Sequence, residues 1–236
     1  MRKLIFEDHF EVGEQPNPEF WNIDEGGSGF GNKEEQFYTK RTSNIYQKDS
    51  ILHIVARKEA FENRNYTSAK ITTRGKMHMQ YGRCDVRMKL PKGLGTWPAV
   101  WFLGENIKTV GWPASGEIDL MEFVGKEPDV VHFSLHSKNF NHTKNNNLHL
   151  KSEVPGVSDN FNVYSIEWDK DGFKYFLNDK LLFTAPKGEL EGMDNWPFDQ
   201  PFFLIINLAI GGNWGGKIDD SIFPMEFLID YVKIYE

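Results

Sequence analysis

The stretch Cys84-Asp85-Val86-Arg87-Met88-Lys89-Leu90 alternates apolar with charged residues for seven positions. A period of two is that of a pleated strand, whose side chains point in turn to opposite faces, so one face of this segment meets a core and the other meets water. The same period recurs in Ile51-Leu-His-Ile-Val55, Val130-Val-His-Phe-Ser-Leu-His136, Tyr164-Ser-Ile-Glu-Trp168 and Phe227-Leu-Ile-Asp-Tyr-Val-Lys-Ile-Tyr235. Lys170-Asp-Gly172 and Asn178-Asp179 lie between such runs and carry the turn chemistry of antiparallel hairpins. No strand–helix–strand rhythm is present, so the pattern predicts an all-β fold, a β-jelly-roll sandwich of two antiparallel sheets. Residues 104–115, 138–160 and 185–200 read as connections, and helix is expected only as a turn or two around Leu190–Met193. No composition shift, linker or repeat divides the 236 residues, which predicts one domain over 1–236, a length that all-β sandwiches reach as one unit.

Composition narrows the function. With 27 Lys and Arg against 34 Asp and Glu the formal charge is −7, and no basic block occurs, which speaks against nucleic-acid or anionic-membrane partners. The single cysteine, Cys84, excludes an internal disulfide framework and any multi-cysteine metal site. No run approaches the ~18 consecutive apolar residues of a membrane-spanning helix, and the first residues lack the apolar segment of a signal peptide. The Asn-x-Thr triplets at Asn65 and Asn141 read as chance occurrences. The 34 aromatic residues exceed what a core of this size needs, and a surplus of flat rings suits a ligand with apolar faces, such as a sugar.

The chemistry concentrates in Trp112-Pro-Ala-Ser-Gly-Glu117-Ile118-Asp119-Leu120-Met121-Glu122-Phe123-Val-Gly125, with three carboxylates in six residues. On a regular strand Glu117 and Asp119 share one face, Ile118 and Leu120 the other, and Glu122 falls on the core side. Burying a lone carboxylate there is unfavourable, so a β-bulge near Met121 is expected, returning Glu122 to the polar face and Phe123 to the core. Glu117 and Glu122 then stand roughly 13 Å apart along a straight strand, a gap that curvature and two long side chains must close. Retaining glycoside hydrolysis needs a carboxyl pair about 5 to 5.5 Å apart, one ionised as nucleophile and one protonated as acid. A third carboxyl, Asp119, can hydrogen-bond the nucleophile and help keep one member of the cluster protonated. A Ca²⁺ site or a solvated charged strand is the alternative reading; the flanking Trp and Gly residues and the alternating core positions favour a cleft floor.

Neighbouring segments fit. Val130–His136 puts His132, Ser134 and His136 on one face, and Trp97-Pro-Ala-Val-Trp-Phe102 puts Trp97, Ala99 and Trp101 together as a sugar platform, with Val100 and Phe102 toward the core. Gly26-Gly-Ser-Gly-Phe-Gly31 and Gly211-Gly-Asn-Trp-Gly-Gly216 lie between no strand and convincing helix, so they read as loops over a cleft and not as phosphate cradles. Neither a Gly-x-Ser-x-Gly elbow nor a helical zinc histidine pair is present.

These residues resemble glycoside hydrolase family 16, and within it the bacterial laminarinase-like endo-β-1,3-glucanases. The resemblance runs from Phe6-Glu-Asp-His-Phe10 through Gly31-Asn-Lys-Glu-Glu-Gln-Phe-Tyr38, Tyr66–Lys76, Tyr81-Gly-Arg83, Trp97–Trp101 and Gly116–Glu122 to Phe203–Trp214 and Ile229–Tyr235. The Glu-x-Asp-x-x-Glu spacing is specific, because family branches without the bulge are one residue shorter here. The resemblance implies a jelly roll with a concave substrate cleft, with Glu117 as nucleophile, Glu122 as acid/base and Asp119 orienting Glu117. It implies that His136 is the family's cleft histidine, and that Asn44, Arg74, Trp101 and Trp112 hold glucose units on the non-reducing side. No cofactor is implied for catalysis; a structural Ca²⁺ on the convex face is, with Asp230 and backbone oxygens near Glu7 as ligands. Family members are usually secreted, which favours an extracellular or periplasmic protein read in mature form, and a monomer is expected. Phe123, Phe133-Ser134 and Gly215 depart from the Tyr, Gly-Thr and Pro common in relatives.

Three activities follow as expectations. The first is endo-acting, retaining hydrolysis of β-1,3-glucan, extending to mixed β-1,3/1,4-glucan. The second is hydrolysis of a neutral or sulfated galactan of the agarase, porphyranase or carrageenase type, against which the charge of −7 speaks. The third is a non-catalytic β-glucan-binding domain, which predicts loss of the acids that are present here.

Overall fold

The computed structural model describes residues 2–190 and 196–236. Alternation becomes two stacked sheets, as the sequence predicts. The seven-stranded sheet runs, edge to edge, Leu148–Glu153, Val130–His136, Glu117–Phe123, Thr96–Gly104, Phe202–Ile210, Lys70–Thr72 and Asn22–Ile23. The ten-stranded sheet is centred on Gly82–Lys89 and Met225–Tyr235, with Asn162–Asp169 beyond the first and Ile51–Phe61 beyond the second. Among the described residues the strands pair antiparallel except Gln36–Tyr38 and Arg64–Ser68, which run parallel, a departure from the all-antiparallel expectation.

Between the sheets lies a continuous core. In Gly82–Lys89 the buried positions are Cys84, Val86 and Met88, the alternation from which the fold was read. The opposing sheet contributes Val100, Phe102, Ile118, Leu120, Phe123, Val131, Phe133 and Leu135, all fully buried. Trp168 anchors one end, with its indole N–H donating to the Phe198 carbonyl at 3.2 Å and its ring against Phe102, Phe173 and Phe202. Full burial of such side chains contributes about 1.5–3 kcal/mol each, which is why the apolar face of every strand fixes its register.

Some connections hold more structure than expected. Residues 104–115 contain a helical turn at Ile107–Val110, and 138–160 contain the edge strand Leu148–Glu153. That strand is weakly patterned, half-buried at alternate positions only, so its sequence carries little apolar signal. The turn expected around Leu190–Met193 lies almost wholly outside the described residues; a short 3-10 turn covers Lys187–Leu190. No helix among the described residues is long and apolar enough to cross a membrane. Asn141 is buried and hydrogen-bonded inside its loop, whereas Asn65 is exposed.

Candidate active site

The expected bulge is present. Glu117, Ile118 and Asp119 pair with Leu103, Phe102 and Trp101, but Met121 and Glu122 pair with Val100 and Ala99, so five steps on this strand match four on its neighbour. The register toward Val130–His136 shifts at the same place. Leu120 and Met121 both enter the core, which restores Glu122 to the face of Glu117 and Asp119 and puts Phe123 inside.

That face is the floor of a cleft of about 880 Å³ crossing the seven-stranded sheet. Trp97, Ala99, Trp101 and Leu103 line it from one strand, and Ser134 and His136 from another. The two glycine-rich loops line it side by side, Phe30, Gly31 and Asn32 from one and Asn213 and Trp214 from the other, joined where the Asn213 N–H donates to the Asn32 carbonyl at 2.8 Å.

Each glutamate is held by an indole. Trp112 Nε1 donates to Glu117 Oε2 at 2.9 Å, and Trp97 Nε1 donates to Glu122 Oε1 at 3.1 Å. Trp97 therefore holds a carboxyl besides presenting a ring. His136 Nε2 lies 3.5 Å from Glu117 Oε1 and 3.2 Å from Asp119 Oδ2, with its ring nearly buried. Glu117 and Glu122 are each pushed up to about 8, by burial first and by the Asp119 charge second, while His136 and the indole donors pull the other way. Burial also raises Asp119 well above the ordinary carboxylate range. Like charges in so dry a site cannot all ionise at neutral pH, so the cluster retains protons there, and ionised and protonated carboxyls coexist.

A second network fixes the platform ring. Trp101 Nε1 donates to Asn207 Oδ1 at 2.8 Å, Asn207 Nδ2 to the Tyr38 hydroxyl at 3.1 Å, and that hydroxyl to Glu34 Oε2 at 3.2 Å. Gln36 Nε2 closes the chain on Glu34 at 2.6 Å. Sequence reading missed Glu34, Asn207 and Lys70. Asn207 had a signal, being the one polar residue in the nine-residue buried strand Phe202–Ile210.

Other expected residues sit elsewhere. Asn44 does not reach the cleft: it is fully buried, its Oδ1 accepting from Thr39 and Arg41 and its Nδ2 donating to the Val55 carbonyl and Thr67. All its hydrogen-bonding capacity is used inside the fold, leaving none for a sugar. Arg74 lies over the Phe203 ring, 5.4 Å from its centroid, and Phe203 pairs with the cleft-lining Leu103. Arg74 itself is not among the residues that line the cleft. His132 lies under the rim, Nδ1 3.0 Å from His149 Nε2 and its ring against Trp214; burial, His149 and nearby lysines hold it down to about 4.

The calcium expectation rests on the Asp230 side chain and on backbone oxygens near Glu7, and the one side-chain donor among these is already paired. Asp230 accepts from the Arg87 guanidinium, and Glu7 Oε2 stands 3.3 Å from His9 Nε2 and 3.8 Å from Lys233 Nζ, so each carboxylate already faces a cation. Ca²⁺ asks for six to eight oxygen ligands. Among the described residues the one group of three or more metal-ligand donors is Glu117, Asp119 and His136, in the cleft.

Comparison with known proteins agrees with the geometry. The model of the glycosyl hydrolases family 16 matches residues 32–233. A beta-glucanase of Rhodothermus marinus is 43% identical over 99% of this chain and 85% of its own length. Glucan endo-1,3-beta-glucosidase A1 of Niallia circulans is 35% identical over 99% of this chain, which spans 38% of that longer protein. The X-ray structure of the laminarinase from Rhodothermus marinus superposes with a TM-score of 0.95 at 42% identity, covering 100% of this chain and 98% of that one. Bulged strand, three clustered carboxyls and family match coincide in the same residues, and the chain belongs to glycoside hydrolase family 16.

Proposed function

We propose that the chain is an endo-acting, retaining β-1,3-glucanase that also cuts mixed β-1,3/1,4-glucan. The observation that carries this is the bulged strand, which sets Glu117, Asp119 and Glu122 on one cleft face with an indole donor on each glutamate. The relatives named above support the glucan. Glu117 attacks the anomeric carbon while Glu122 protonates the departing glycosidic oxygen; Glu122 then takes a proton from water, which attacks the same carbon and frees Glu117. Two inversions return the β configuration, and no cofactor is needed. Asp119 keeps the cluster partly protonated, Trp101 and Trp112 present rings to glucose units, and Arg74 stands beyond the cleft lining, over Phe203. A cleft running across a sheet suits internal cuts in a long chain, by a single-domain, monomeric enzyme working outside the cytoplasm. Among the described residues lining the cleft, Lys70 is the one Lys or Arg, and it pairs with Asp24 at 3.6 Å, which disfavours a sulfated galactan.

The test is reducing-end release with product sizing from laminarin, mixed-linkage β-glucan, agarose and carrageenan. Rapid release of oligosaccharides from laminarin, with β-anomers as first products, is expected. Activity on a galactan alone would overturn the substrate, and binding without any release would reassign the chain as a recognition domain.

The pH dependence follows from the cluster. The nucleophile acts only when ionised, so activity is lost as pH falls; the acid acts only when protonated, so activity is lost as pH rises through its raised value of about 8. A bell-shaped kcat/KM profile with a basic limb near pH 8 is expected. Asp119→Asn removes a charge that raises both glutamates, so the basic limb of the residual activity moves to lower pH. A limb that stays in place contradicts the role given to Asp119.

A further inference from the structure

The connection between Val130–His136 and Leu148–Glu153 reaches back over the catalytic cluster. Its 3-10 turn, His142–Lys144, puts His142 in the cleft wall. The His142 ring lies 5.0 Å from the Trp112 ring at a shallow tilt of 34° and 5.3 Å from the His136 ring, nearly perpendicular at 84°. Trp112 and His136 are the two groups that face Glu117, one on each carboxyl oxygen. Trp112 is otherwise open, with 37% of its surface exposed.

The turn that presents His142 is built from inside. Asn141, 1% exposed, donates from Nδ2 to the Ser137 and Lys138 carbonyls, accepts on Oδ1 from the Thr143 hydroxyl, and its backbone N–H donates to Asn146 Oδ1. His142 contributes none of these bonds, so the loop keeps its course when the imidazole is removed. Burial and the adjacent His136 lower the His142 pKa below its ordinary value, so the ring is neutral at neutral pH and free to pack as a flat, uncharged surface.

We propose that His142 is a positioning residue: its ring braces Trp112 and His136 together and so fixes the orientation of the Glu117 carboxylate. This rests on Glu117 acting as the nucleophile. An attacking oxygen must meet the anomeric carbon along a narrow approach, and small displacements of its supports lower the rate without weakening substrate binding. A sugar-binding role for His142 would instead appear in KM.

The test compares His142→Ala and His142→Phe with the wild-type enzyme on laminarin, together with crystal structures of both variants. His142→Ala is expected to lower kcat about tenfold, with KM rising by less than kcat falls, since Trp112 also presents a ring to glucose. His142→Phe, which keeps a flat ring and loses both nitrogens, is expected to restore kcat to within about threefold of wild type. A rise in KM at constant kcat, or a Phe variant as slow as Ala, overturns the proposal. If the Ala variant loses its fold, the Phe variant alone decides between ring and nitrogen. If the wild-type protein cuts no glucan, the substrate reading fails separately, and the structures still decide the brace: Trp112 unmoved on Glu117 in His142→Ala refutes it.

Discussion

Glu117→Gln is expected to lower kcat on laminarin by roughly 10⁴-fold or more while leaving the fold intact, measured by reducing-end release against thermal unfolding. The amide is nearly isosteric and keeps an oxygen to accept the Trp112 indole bond, so little packing changes. What disappears is the group that forms the covalent intermediate. Glu117→Ala opens space where the carboxylate stood, and azide can enter it and attack the anomeric carbon from that same face. One inversion then occurs in place of two, so the product is the α-glycosyl azide. A Glu117 variant that kept full hydrolytic rate would remove the basis of the double displacement.

Glu122→Ala gives the complementary result. Loss of the acid is expected to lower the rate on laminarin by about 10²–10⁴-fold, and by far less on an aryl β-glucoside whose leaving group needs no proton. Here Glu117 still forms the intermediate and azide attacks it from the opposite side, giving the β-glycosyl azide. The opposite anomers from the two variants assign the two roles without reference to any relative. If both variants yielded one anomer, or if the aryl substrate suffered as much as laminarin, the assignment of Glu122 would fail.

The sequence made the site legible because its chemistry conflicts with its periodicity. Glu117, Asp119 and Glu122 cannot share a face of a regular strand, and an extra residue resolves the conflict; the structure places the irregularity between Asp119 and Met121. The core was legible for the same reason, since Val131, Phe133 and Leu135 alternate against His132, Ser134 and His136. What escaped were contacts set by chain topology. Nothing local to Glu34 or Asn207 says that residues 173 positions apart meet through Tyr38, and nothing in His142 says that its loop returns to Trp112. Asn44 failed as a cleft residue because resemblance placed it by sequence alone, while its four hydrogen bonds put it in the interior. Trp97 was read for its flat ring, and its N–H proved to hold Glu122.

The chain of hydrogen bonds from Trp101 through Asn207 and Tyr38 to Glu34 also bears on the entropy of recognition. An unanchored indole samples several rotamers, and a ligand that stacks on it must freeze them, at about 0.5–1.5 kcal/mol for each immobilised side chain. Here the rotamer is chosen before any sugar arrives, because turning the Trp101 ring would break its bond to an amide that is itself committed to Tyr38. The ordering has already taken place during folding, and the free energy of stacking is left to hold the polymer.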